Sequence, residues 1–240
     1  MLDWLQLPLD AAREHNVGFV TAWHGRLMVL AWSVVLPAGV IIARFYKITP
    51  RQKWPDQLDN KAWWYSHLTL QYTGGVIMLA AIGLIWQATS TSPWTAHTLL
   101  GWVVVGLGVG QFLSGWLRGT KGGPTAPGSD GTSTGDHYDM TRRRRAFEAA
   151  HKTAGYLALV MSMAAILTGF WLANAPRWMP LLWLCWLALL AGAWMTAQRR
   201  GLAADTYQAI WGPDLEHPGN RLAPNWGMRR RIRIGDREKP

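Results

Sequence analysis

Apolar residues along this chain fall into five long blocks, separated by polar and charged stretches. The blocks cover about residues 19–45, 64–86, 95–117, 149–172 and 178–197. Each is long enough to cross a hydrocarbon core, which takes about 20 residues of helix. Pro37, Gly74, Gly75, Gly106 and Gly108 lie inside the blocks, where membrane helices tolerate such residues if their neighbours pack closely. The pattern predicts an all-α integral membrane protein, a bundle of five transmembrane helices. Residues 1–18 form a short extracytoplasmic segment, 19–198 the membrane domain with a cytoplasmic loop at 118–146, and 199–240 a basic cytoplasmic tail. The stretch 119–135 is rich in Gly, Ser, Thr and Pro and reads as a flexible loop. Pro213, Pro218 and Pro224 argue against a long helix in the tail.

Composition and charge sharpen this picture. The net charge of +10 would suggest a nucleic-acid partner in a soluble protein. Here the cations lie beside apolar blocks, so the expected partner is membrane lipid and not nucleic acid. Arg44, Lys47, Arg51, Lys53 and Lys61 follow the first block. Arg118, Lys121 and Arg142–Arg145 follow the third, and Arg199, Arg200 and the tail follow the fifth. Alternating spans put these three sets on one side, and positive residues mark the cytoplasmic face. The N-terminus is therefore expected outside and the C-terminus inside, most simply in a bacterial cytoplasmic membrane. The run of four arginines reads as an anchor to anionic headgroups. Seventeen tryptophans suit the two bilayer interfaces. The lone Cys185 excludes an internal disulfide and a c-type haem attachment, and reads as a small core residue. Asp3, Asp10, Arg13 and Glu14 interrupt residues 1–17, so no cleavable signal is expected there.

Seven histidines occur. His15, His137 and His217 fall between or beyond the blocks, where a solvated role is the default. His24, His67, His97 and His151 fall one in each of the first four blocks, and ionisable groups there are costly and usually functional. Each lies near the start of its helix. Alternation therefore levels His24 with His97 on the outer side and His67 with His151 on the inner side. Two imidazoles facing at one depth suit the axial positions of a six-coordinate haem iron. Two such levels predict a four-helix di-haem core with two non-covalent b-type haems, their irons about 20 Å apart by helical rise and core thickness. Gly101 and Gly155 each follow a histidine by four, on the same helical face, where they would admit a flat macrocycle. Gly25, Gly74 and Gly75 offer similar relief, although close helix packing explains such glycines equally well. Arg26, one turn inside the outer face, would suit a haem propionate. No catalytic side chain is expected, because the cofactor carries the chemistry.

Four segments carry a family resemblance: HGRLMVLAWSVVLPAGVIIARFYK from His24, WWYSHLTLQYTGG from Trp63, HTLLGWVVVGLGVGQFLSG from His97 and HKTAGYLALVMSMAAILTG from His151. Together they resemble the histidine helices of the cytochrome b561 family, in the branch associated with DOMON domains and ferric-chelate reductases. The resemblance implies electron transfer across the membrane, from a small-molecule donor such as ascorbate to an acceptor or redox partner protein outside. It also implies that basic residues before the inner histidines bind the anionic donor, here Lys61 and Arg145, each six residues ahead. The chain departs from many relatives in having no sixth helix before the first histidine helix and no DOMON domain. A haem-bearing anchor subunit, linking the quinone pool to an extracytoplasmic dehydrogenase or cytochrome, is the alternative function. A non-redox subunit or metal permease is a third reading.

Overall fold

A computed structural model of the chain describes residues 2–89, 94–119, 135–224 and 227–230. The expected linker at 90–93, most of the loop at 119–135 and the last ten residues of the tail lie outside the described residues. What is described is helical, with isolated bridges in place of strands. A short α1 (Leu2–Gln6) precedes α2 (Phe19–Phe45), α3 (Ala62–Thr89), α4 (Ala96–Trp116), α5 (Arg142–Leu172), α6 (Trp178–Arg199) and a short α7 (Thr206–Trp211). The five helices from α2 to α6 are long and apolar enough to cross a membrane. Val76, Leu182 and Leu189 are each more than 60% exposed, an apolar surface that suits lipid and not water.

One helix begins well before its expected start. α5 begins at Arg142, seven residues ahead of the apolar block, so the four arginines are helical and not part of the loop. Thr141 caps it by accepting the Arg144 amide at its hydroxyl, 3.2 Å away. Glu148 then bonds Arg144 and Lys152, four residues to either side, at 3.1 and 3.0 Å. Such pairs support helix without any apolar pattern.

The chain divides into two compact units. The first comprises 1–39, 68–111 and 154–194. Its core holds Trp32, Leu36, Met78, Val104, Ala158, Ala165, Ile166 and Trp183. α2 widens into a π-helical turn over Ala31–Val35, and the cause is Pro37, which has no N–H to offer the Ser33 carbonyl four residues earlier. That carbonyl accepts the Trp186 indole N–H at 2.7 Å, while the Ser33 hydroxyl accepts that of Trp183 at 2.8 Å. Two α6 tryptophans are thus fixed to one turn of α2. Gly74 is a packing glycine, since a Cβ there would come within 2.5 Å of Leu36 Cδ2. Cys185 is exposed, contrary to the core role expected of it. It lies two residues, about 200°, around α6 from buried Trp183. The N-terminal segment is tied to the turn before α6. The Leu9 amide donates to the Ala175 carbonyl, the Arg177 amide to that of Leu7, and Asn174 bonds Asp10 and Arg13.

The second unit comprises 40–67, 112–153 and 195–240. Its described tail residues are folded. Asp205 caps α7, and Tyr207, Ile210 and Trp211 are buried with Tyr138 and Met140 packed against them. Gly219 leaves room for the Tyr207 ring, with which any Cβ there would collide. His137, expected to be solvated, is 1% exposed. Trp211 donates to its Nδ1 at 3.2 Å, and its Nε2 faces Glu148 at 3.9 Å. The aromatic partners that enclose it come from α7, some seventy residues away, beyond the reach of any local pattern. Lys47 is buried too, donating to the Ala204 carbonyl at 3.0 Å. Burial, reinforced by the nearby Lys152 charge, pushes its ammonium down to about 7.

Candidate functional site

The four membrane histidines divide two and two between the units. In the first unit, His24 on α2 and His97 on α4 approach with ring centroids 6.2 Å apart and planes at 89°. Each is held from a third or fourth helix. His24 Nδ1 lies 3.0 Å from the Ala81 carbonyl of α3, and His97 Nδ1 lies 2.9 Å from the Ala165 carbonyl of α5. A carbonyl oxygen only accepts, so both Nδ1 atoms carry the proton. In the neutral ring, Nε2 is then left with its lone pair, the state a metal ligand needs.

Gly169, which no sequence pattern marks out, makes room for this pair. A Cβ there would stand 3.0 Å from His97 Cε1 and 3.3 Å from Nδ1. Its position four residues after Ala165, the anchor of that same ring, becomes meaningful only once α5 is seen to face His97. Gly101 and Gly25 face open space, with no atom within 4 Å of where a Cβ would stand, whereas a Cβ on Gly155 would reach 3.2 Å from the Gln111 amide oxygen. Arg26 is exposed, its guanidinium lying 5.3 Å over the Trp23 ring.

In the second unit, His67 on α3 lies within electrostatic reach of His151 on α5. His151 Nδ1 meets the Ser114 hydroxyl at 2.8 Å, where either atom can donate. Each ring has an aromatic neighbour one turn earlier on its own helix. Phe147 stacks on His151 at 5.3 Å and 28°, and Trp64 lies 6.2 Å from His67 at 35°. Each aromatic ring is in turn covered by a guanidinium, Arg144 over Phe147 at 5.1 Å and Arg118 over Trp64 at 4.1 Å. Lys61 and Arg145, the basic residues expected near these histidines, are both exposed. On α5, the six residues from Arg145 to His151 turn the helix about 120° off the histidine's face. The seven from Arg144 return to that face.

Comparison with known proteins gives relatives of one kind. A cytochrome b561, DM13 and DOMON domain-containing protein of Arabidopsis thaliana is 25% identical over 161 residues, covering 67% of this chain and 15% of its own. Ferric-chelate reductase 1 of Bos taurus is 30% identical over 149 residues, 61% of this chain and 22% of its own. A cytochrome b561 and DOMON domain-containing protein of Arabidopsis thaliana is 27% identical over 167 residues, 68% of this chain and 30% of its own. The chain spans less than a third of the length of each of these relatives. No family model and no solved structure matched it.

Proposed function

We propose that the chain is a cytochrome b561 protein of the DOMON-associated, ferric-chelate-reductase-like branch, and that it conducts electrons across a membrane through two b-type haems. His24 and His97 would be the axial ligands of one iron, and His67 and His151 those of the other. The observation that carries this reading is the spacing of the first pair. Two imidazoles that would hold one iron between them must lie close together, each with a ring nitrogen left free. The rings of His24 and His97 are 6.2 Å apart, and the carbonyl-bound Nδ1 atoms leave Nε2 for the iron.

The open space beside Gly101 suits a flat macrocycle, whereas Gly155, expected to offer the same relief, packs against the Gln111 amide. Arg26 would reach a propionate by leaving the Trp23 ring. The bound haem supplies one-electron chemistry at its iron, while the protein fixes ligation, burial and position. The pair His24–His97 would face outward and His67–His151 the cytoplasm, with the N-terminus outside a bacterial cytoplasmic membrane. The basic loops after α2, α4 and α6 support this orientation. Electrons would enter from a small anionic reductant or a quinol, with exposed Lys61 and Arg145 drawing in an anion. They would leave to an acceptor or a separate redox partner protein. Reduction of the purified protein should give sharp b-type bands and two haems per chain by haemochrome assay. Replacing His97 with Ala should remove one of them. A wild-type value of one, or of none, refutes the two-site arrangement.

A further inference from the structure

A hydroxyl stands behind a ring of each histidine pair, in two different chemical relations. At the second pair the Ser114 hydroxyl lies 2.8 Å from His151 Nδ1 and is its direct partner. At the first pair the hydroxyl acts one step removed. His97 Nδ1 donates to the Ala165 carbonyl at 2.9 Å. The Thr168 hydroxyl reaches that same oxygen, also at 2.9 Å, and the Ala164 carbonyl at 3.0 Å. Ala165 lies inside α5, so its oxygen also serves the amide four residues on. A carbonyl oxygen has two lone pairs, and here three donors share them.

Both relations bear on one quantity. A ligating imidazole that donates its second N–H becomes more basic at the ligating nitrogen. That favours iron(III) over iron(II) and lowers the reduction potential, the more so the stronger the acceptor. Ser114 supplies an acceptor: with His151 ligating through Nε2, Nδ1 carries the proton and the hydroxyl oxygen receives it. Thr168 does the reverse. It draws on the oxygen that His97 uses and loosens the hold of that oxygen on the ring proton.

We infer that Ser114 and Thr168 are positioning residues that set the two haem potentials in opposite senses, Ser114 lowering the one at His67 and His151 and Thr168 raising the one at His24 and His97. The inference rests on reading both pairs as haem sites. Reduction adds one electron per site and moves no proton, and the hydroxyls change only its energy. Both are side chains, open to single substitutions that the backbone carbonyls holding His24 and His97 do not allow.

The test uses the full chain with its haems, as wild type, Ser114→Ala, Ser114→Thr, Thr168→Val and Thr168→Ser. Haem content is measured first, and electron paramagnetic resonance of the oxidised protein separates the two sites. Midpoint potentials then come from optical redox titration with chemical mediators alone. Ser114→Ala should shift one reduction equilibrium about threefold or more toward the reduced form, roughly 28 mV at 59 mV per tenfold, and leave the other unchanged. Thr168→Val should shift that other equilibrium toward the oxidised form by about twofold or more, roughly 18 mV on the same scale. Ser114→Thr and Thr168→Ser keep the hydroxyl and should keep the wild-type potentials. Where Ser114→Ala sheds a haem, Ser114→Cys takes its place, because sulfur is a weak acceptor and the potential should again rise. A midpoint that stays at the wild-type value in either hydroxyl-free variant, with both haems retained, overturns the inference and leaves the two-haem reading standing. Shifts of the same sign at the two positions overturn it as well. A wild type with fewer than two haems fails at the first measurement, and it is then the two-haem reading itself that falls.

Discussion

Replacing Gly169 with alanine tests how closely His97 is held against α5. The added methyl carbon would stand 3.0 Å from Cε1 and 3.3 Å from Nδ1 of the imidazole. Ordinary carbon–carbon contact is about 3.5–4.0 Å, so the ring must retreat by roughly half an ångström. It is not free to do so, because Nδ1 is tied at 2.9 Å to the Ala165 carbonyl one turn back on the same helix. Retreat along the same direction would stretch that bond to about 3.4 Å, where little hydrogen bonding remains. Overpacking of this kind costs about 1–3 kcal/mol. On the proposed two-haem reading the expected phenotype is selective: a changed low-spin signal and weaker retention for a haem held by His24 and His97, with the other unaltered. Electron paramagnetic resonance and thermal release of haem measure both. Gly101→Ala makes a useful companion, since its new methyl would meet nothing within 4 Å beyond its own stretch of helix. It should weaken haem retention if a macrocycle fills that space and do nothing if lipid does. Unchanged spectra and unchanged melting in Gly169→Ala would refute the argument.

Two further outcomes follow from other parts of the structure. Ser33→Ala strands the indole N–H of buried Trp183, and Trp186→Phe removes the bond to a carbonyl that Pro37 cannot serve. Each should destabilise the protein by about 0.5–2 kcal/mol, toward the lower end if hydrogen bonds in this membrane protein are as weak as elsewhere, and denaturant titration in detergent measures it. Lys47 gives a pH dependence. Its folded value of about 7 lies below its ordinary 10.5, so between those values the unfolded chain binds more protons, and stability rises with pH across that window. Thermal melts of Lys47→Met should lack that rise, and identical slopes in the two proteins would show that Lys47 is solvated.

Much of the membrane architecture is legible in apolar block length alone, because twenty-odd apolar residues have few other uses. The histidines stand out for a related reason, as costly groups placed once in each of the first four blocks. What the sequence conceals is set by contacts between distant segments. The early start of α5 depends on Thr141 and Glu148, which supply capping and ion pairs where hydropathy is silent. His137 looks like a loop residue, and only the fold of the tail reveals the Trp211 and Tyr207 that bury it. Cys185 is exposed where a core role is expected, because an apolar run conceals which face of its helix meets protein. Arg145 and Arg144 differ for another reason. Counting along the chain measures closeness, whereas the helical turn decides direction, and the seven-residue spacing from Arg144 to His151 is visible in the sequence itself.

The carbonyl anchors on His24 and His97 have a mechanical consequence. An imidazole on α2 is steadied by α3, and one on α4 by α5, so four separate helices set the attitude of two rings. An axial slip of any one of them by a single residue would carry a carbonyl about 1.5 Å along its helix. That is enough to break the grip on a ring nitrogen and free the imidazole to spin. The rings thus act as gauges of helix register, and strain applied to the protein far from them would be felt at this histidine pair.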